Sequence, residues 1–143
     1  MKFFLMRHAE AETSASEMKR DSDRRLTELG RAQAHSAANK LKSSLVEKGE
    51  TIDLVLTSPY VRACETARLA AAVLGLDGRV VEERRLVPGA DLKKLNELAD
   101  EHRDNNSILI VGHEPDLGIM AGQLLQLNSA RPLGKAEVVE IKV

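Results

Sequence analysis

Short apolar runs separated by helix-length stretches constrain this chain more than any other feature of its sequence. The runs are residues 2–6, residues 52–57, and residues 107–111, where Ile108, Leu109 and Ile110 stand in a row. Each is long enough for a strand and too short for a buried helix. Between them, Thr27 to Lys48 carries Ala34, Ala37, Ala38, Leu41 and Leu45 at helical spacing, one apolar stripe of an amphipathic helix. Thr27 can cap that helix, although Gly30 stands where a full capping box needs Glu or Gln. Residues 59–74 read as a second helix, with Pro59 in its first turn and Gly75 at its end. Asp91 caps a third that carries Leu92, Leu95, Leu98 and Ala99, and a fourth covers 117–127. Arg79–Glu83 is a weaker strand. From Val138 the tail alternates Val139, Ile141 and Val143 against Glu140 and Lys142, the pattern of a half-exposed edge strand. This alternation predicts an α/β sandwich with a mostly parallel sheet. Such sheets bind ligands outside the carboxyl ends of their strands.

Composition narrows the function. The 143 residues are expected to form one domain, residues 1–143, large enough for a core without disulfides. Lys and Arg number 21 and Asp and Glu 22, a balance that argues against a general nucleic-acid binder. Aromatic residues make up 2%, which leaves no platform for stacking bases. The single cysteine, Cys64, permits no intramolecular disulfide and fits a reducing compartment. No run approaches the roughly 18 apolar residues of a membrane span. Phe3 to Met6 is too short for a signal segment and is interrupted by Arg7-His8, so the expected location is the cytoplasm. The longest irregular stretch, Glu12 to Arg25, carries charges of both signs and reads as a solvated loop.

Three strand ends carry the chemistry. Arg7-His8 follows the first run, Thr57-Ser58-Pro59 with Arg62 follows the second, and Gly112-His113-Glu114-Pro115 follows the fourth. Two arginines and two histidines therefore converge on one sheet edge of a chain that is nearly neutral overall. Arginine forks match phosphate oxygens bidentately, and helix N-termini add backbone N–H donors. A neutral imidazole among them is a competent nucleophile toward phosphorus. Neighbouring positive charge disfavours its protonation, and the cationic side chains can take the role a metal would play. No cofactor and no metal is expected. His35 and His102 are read as solvated, and neither has zinc-ligand spacing. Cys64 opens no Cys-x5-Arg phosphate loop, since position 70 is Ala, and reads as a packed thiol. Asp21-Ser22-Asp23 follows no strand and reads as polar loop. Gly118 and Gly122 suit close helix packing, and Gly134-Lys135 lacks the upstream glycine of a P-loop.

The same residues carry a resemblance. Met6-Arg7-His8-Ala9-Glu10-Ala11 resembles the defining motif of the histidine phosphatase superfamily, in which the histidine is phosphorylated during turnover. Leu26-Thr27-Glu28-Leu29-Gly30 with Ala32-Gln33-Ala34, Thr57 to Ala63 with Thr66-Ala67, and Val111 to Leu117 resemble three further segments of that family, in the same order. The resemblance implies a phosphoglycerate mutase-like fold, a three-layer αβα sandwich with one antiparallel edge strand. It implies His8 as nucleophile and Arg7, Arg62 and His113 as the phosphate pocket, with Ser58 in support.

Within the superfamily the chain is similar to the SixA-type phosphohistidine phosphatases. Mutase-type members read Arg-His-Gly, an acid, then Ser or Thr, where this chain has Ala9, Glu10 and Ala11. Many phosphomonoesterases of the family carry an acid after the third strand, and here Pro88 falls near its place. Asp91 and Glu114 are weak candidates for a proton donor. An ester leaves as an alkoxide and needs a donor, whereas a protonated imidazole is a good leaving group. The expected function is removal of phosphate from a histidine of a signalling or phosphorelay protein, such as a histidine phosphotransfer domain, with inorganic phosphate as product. No nucleic-acid or membrane partner is expected. The alternatives are a small-molecule phosphomonoesterase of the same superfamily and a non-catalytic phosphoryl-binding module.

Overall fold

The computed structural model describes residues 1–13 and 20–143, so part of the loop expected over 12–25 lies outside the described residues. Five strands form one sheet: β1 Lys2–Arg7, β2 Leu54–Thr57, β3 Val80–Glu82, β4 Ser107–Gly112 and β5 Val138–Lys142. Their order is β3-β2-β4-β1-β5. β1 pairs parallel with β4, and β2 pairs parallel with both β4 and β3. β5 lies at the edge, as its alternating sequence predicts, and runs antiparallel to β1, as the family resemblance implies. The longer helices are α1 Glu28–Lys48, α2 Val61–Leu74, α3 Leu92–Glu101 and α4 Asp116–Leu124.

The pleat divides the core into two layers, because successive side chains of a strand point to opposite faces. Phe4 and Met6 of β1 and Leu109 and Val111 of β4 face α1 and α2. Phe3, Leu5, Ile108 and Ile110 face α3 and α4. The first helical layer is rich in alanine (Ala34, Ala38, Ala63, Ala67, Ala70), which lets α1 and α2 lie close together. The second fills its space with Leu95, Leu98, Leu117 and Met120. Each fully buried Leu, Ile or Phe side chain contributes about 1.5–3 kcal/mol, so the central strands, buried on both faces, anchor everything their ends carry.

Local rules account for most helix ends. Thr27 Oγ1 accepts from Gly30 N at 3.0 Å, half of a capping box. Asp91 Oδ1 accepts from Lys94 N at 3.0 Å. Gly49 and Gly75 close α1 and α2 in the left-handed conformation, where glycine carries no Cβ penalty. Three boundaries differ from expectation by two residues or more. β2 starts at Leu54, because Asp53 turns its carboxylate to the backbone N–H groups of Asn106 and Ser107. α2 starts at Val61 rather than Pro59, because Pro59 and Tyr60 form the bend that enters it. α4 ends at Leu124, and Gln126 beyond it sits at φ 57, outside the helical region. Gly118 and Gly122 do serve close packing: a Cβ on either would strike the backbone of the 129–132 segment.

Candidate active site

His8 stands just beyond the end of β1, held by backbone on both sides. Its N–H donates to Gly112 O at 3.1 Å, and its carbonyl accepts from Ala136 N at 3.3 Å. Ala9 N then donates to Thr66 Oγ1 at 3.1 Å, a hydroxyl fully buried on α2 that donates in turn to Arg62 O. A Cβ on Gly30 would strike the Glu10 carbonyl, so glycine alone lets α1 begin against the histidine loop. The turn after β2 and the first turn of α2 place Arg62, and the end of β4 places His113. The three segments separated in sequence thus meet. Arg7, His8, Arg62 and His113 line one cavity of about 430 Å³.

Hydrogen-bond bookkeeping fixes the protons. His8 Nδ1 lies 2.7 Å from Ala9 O. A carbonyl only accepts, so Nδ1 carries the proton and neutral His8 presents a bare Nε2. Arg62 Nε donates to that Nε2 at 3.3 Å. His113 Nε2 lies 2.8 Å from Ser58 Oγ, which already accepts from Tyr60 N at 3.2 Å. Ser58 is wholly buried, so its O–H must donate, and His113 Nε2 is the acceptor within reach. The His113 proton therefore sits on Nδ1. Both that atom and Arg7 Nε are buried, and neither has a hydrogen-bond partner among the described residues. Tyr60, the chain's single tyrosine, meets the His113 ring at 5.1 Å and lies under the Arg62 guanidinium at 5.0 Å.

Burial is the main reason both histidines stay neutral. It pushes His8 down to about 4, with Arg62 and Arg7 adding to the effect against the Ala9 hydrogen bond. Burial likewise pushes His113 down to about 3, helped by His8 and Arg62. Neighbouring charge, the cause expected from sequence, is secondary. Cys64 is half-buried, its thiol donates to Ser58 O, and burial raises its pKa to about 11. A packed, un-ionised thiol fits these facts.

Other residues fall differently. Asp91 caps α3 and does not line the cavity, whereas Glu114 lines it with Oε1 held by Gly118 N at 2.6 Å. Pro88 stands in the lining, and Glu83 on the same connection spends its carboxylate on Arg85. His35 is exposed, as expected. His102, expected to be solvated, is half-buried where it closes α3. Among the described residues, no group of three or more His, Cys, Asp or Glu is placed to hold a metal ion, and no helix is long and apolar enough to cross a membrane.

Three lining residues escaped the sequence reading. Asp21 belongs to a short 3-10 turn over 21–23 rather than to featureless loop. Its carbonyl accepts from Arg62 NH1 at 2.7 Å, and its Oδ2 pairs with Arg62 NH2 at 3.2 Å. Arg24 holds Asp21 Oδ1 at 2.8 Å. Lys135 reaches Glu10 at 3.4 Å across the mouth. No strand or motif precedes Asp21 and Arg24, so only their clustering with Arg25 in a polar stretch hinted at them. A larger concavity, about 690 Å³, lies between α1 and residues 135–140 and shares Lys135 with the site. Its floor is Phe4, Leu41 and Val138, and neither of the two orphaned buried atoms faces it.

Residues 3–87 match the family description of the histidine phosphatase superfamily (branch 1). A phosphohistidine phosphatase SixA homolog of Haemophilus influenzae is 34% identical over 131 residues, covering 87% of this chain and 77% of that protein. The structure of the protein histidine phosphatase SixA complexed with tungstate superposes with a TM-score of 0.80 at 26% identity, over 100% of this chain and 88% of that one. A mycobacterial glucosyl-3-phosphoglycerate phosphatase complexed with VO3 shares the fold, with a TM-score of 0.70 at 19% identity, over 97% of this chain and 90% of that one. The sheet order, the Arg7-His8 and Gly112-His113 strand ends and these likenesses agree: the chain belongs to the histidine phosphatase superfamily, as a phosphatase of the SixA type.

Proposed function

We propose that this protein removes phosphate from phosphohistidine on another protein, through a phosphoryl group carried transiently on His8. The observation that carries the reading is the pair of buried orphan donors, Arg7 Nε and His113 Nδ1, beside the bare Nε2 of His8. Leaving a buried donor unpaired costs about 1–3 kcal/mol. Both residues line the cavity with His8, and a site that leaves two such donors unmet is complementary to an acceptor-rich anion. Tungstate, in the SixA complex, is such an anion.

The geometry supports two steps. His8 Nε2 attacks phosphorus with its lone pair, while its Nδ1–H stays on Ala9 O. Arg7, Arg62 and His113 Nδ1–H take the negative charge on the equatorial oxygens. Water then attacks the phosphoryl group on His8, which departs as neutral imidazole and leaves inorganic phosphate. Pro88 in the lining supports a P–N rather than a P–O substrate, since an alkoxide would need a donor there. The glucosyl-3-phosphoglycerate phosphatase with the same fold keeps the small-molecule ester as the alternative.

The test compares a protein phosphorylated on histidine by phosphoramidate with p-nitrophenyl phosphate, in EDTA, for wild type and His8→Ala. Wild type is expected to release phosphate far faster from phosphohistidine, and His8→Ala from neither. Preference for the ester would overturn the substrate reading. Undiminished turnover by His8→Ala would overturn the role of His8.

A further inference from the structure

The proposed reaction leaves one chemical requirement open, namely what lets the substrate imidazole depart where Pro88 replaces an acid. The electron balance shows it. As His8 Nε2 bonds to phosphorus, the P–N bond of the substrate breaks and its electron pair returns to the ring nitrogen. If the distal nitrogen of that ring already carries a proton from solvent, the group leaves as neutral imidazole and no proton has to move. The need is then for an acceptor facing the distal N–H, not for a donor at the leaving atom. An ionised carboxylate meets that need. His8 has the same arrangement in its own Nδ1–H, which rests on Ala9 O.

We propose that Asp21 is this acceptor, the residue that holds the protonated distal nitrogen of the substrate phosphohistidine and so selects P–N over P–O substrates. The inference rests on the phosphohistidine reading above. Asp21 lines the same cavity as His8. Arg62 spans the two, with Nε 3.3 Å from His8 Nε2 and NH2 3.2 Å from Asp21 Oδ2. The carboxylate thus stands one guanidinium away from the nucleophile. Its side chain is 56% exposed, open to the mouth through which a protein-borne histidine enters. Every carboxylate of the lining has partners, and Asp21 is the one whose partner, Arg62, also bonds the His8 nitrogen. Glu10 accepts from the Thr27 hydroxyl and pairs with Lys135, and Glu114 holds the Gly118 N–H.

The flanking charges suit the task. Burial raises the Asp21 pKa, but Arg62 and Arg24 outweigh it and hold the carboxyl below its usual range, so it stays ionised. An incoming phosphoryl group competes with Oδ2 for Arg62, while Arg24 keeps the carboxylate at the rim through Oδ1. There it attracts a phospho-imidazolium and repels a phenolate or alkoxide leaving group.

Asp21→Asn tests this, since the amide keeps the shape and an oxygen for Arg62 but loses the charge. The measurement is kcat/KM on the phosphoramidate-treated histidine protein and on p-nitrophenyl phosphate, whose phenolate leaves without a proton. Phosphohistidine hydrolysis is expected to fall about tenfold or more, the worth of one charge-assisted hydrogen bond, while ester hydrolysis rises. A parallel fall on both substrates would mean that Asp21 only positions Arg62. A parallel rise would mean that it only occupies the pocket. Either result, or an unchanged ratio, overturns the inference while wild-type turnover of phosphohistidine leaves the functional reading standing. Failure of the wild type on phosphohistidine overturns both.

Discussion

The two edges of the sheet use similar side chains to opposite effect. At the amino ends of the strands, Lys2 pairs with Glu50 at 2.7 Å and with Glu140 at 2.5 Å, and Lys48 pairs with Glu140 at 3.1 Å. Asp53 there accepts from two backbone N–H groups. At the carboxyl ends, Arg7 Nε and His113 Nδ1 are buried with no hydrogen-bond partner among the described residues. Those unmet donors tell the two edges apart, not the number of charges. The amino edge is satisfied within the chain and acts on stability. On the proposed function, the carboxyl edge stays unsatisfied until an anion arrives, and stability is traded for binding there.

Removing one cation from each edge should sharpen this contrast most. Arg62→Met is expected to lower phosphohistidine turnover by about a hundredfold, the scale of a lost transition-state donor, with the fold intact by circular dichroism. Lys2→Met should leave turnover as it is and lower the thermal midpoint modestly, because the half-buried Lys2 joins two carboxylates, Glu50 and Glu140, that water still screens. Equal activity losses in the two variants would erase the distinction.

A smaller effect isolates proton placement. Ser58→Ala removes the O–H that keeps the His113 proton on Nδ1. Turnover should fall about tenfold, the worth of one lost hydrogen bond to a buried group. The loss should lie in kcat rather than KM, and Ser58→Thr should restore part of it. A fall in KM affinity alone would make Ser58 a packing residue.

The smallest effect is in pH dependence. His8 and His113 titrate near 4 and 3 in the folded chain, below the ordinary histidine value of 6.5. Between pH 6.5 and 4 the unfolded chain binds protons that the folded chain does not. Stability from these two groups is therefore complete above pH 6.5 and is lost as pH falls toward 4 for His8 and toward 3 for His113. Thermal unfolding across that window should show this slope, reduced in His113→Asn. A midpoint independent of pH in both proteins would contradict the burial of the histidines.

Much of this architecture can be read along the chain because it depends on local periodicity. The run Ile108-Leu109-Ile110 marks a strand buried on both faces, and the alternation after Val138 marks an edge. Thr27 and Asp91 announce helix starts through groups they bond three residues away. His8, Arg62 and His113 were accessible for a related reason: in a parallel sheet, whatever follows a strand lies at the ligand edge. Asp21 was not, since it follows no strand and meets Arg62 across 41 residues of sequence. Gly30 was misjudged in kind. It looked like a defective capping box, but its bare backbone makes room for the Glu10 carbonyl beside the loop that carries His8.

From sequence come the strand and helix order, the sheet edge that carries chemistry and the four side chains delivered to it, because pattern and chain direction act over a few residues. Tertiary structure alone decides which nitrogen of each histidine is free, which two donors go unmet, and that the Asp21 carboxylate stands beside Arg62. Those outcomes depend on contacts between segments far apart in the chain, and on burial that no single segment provides.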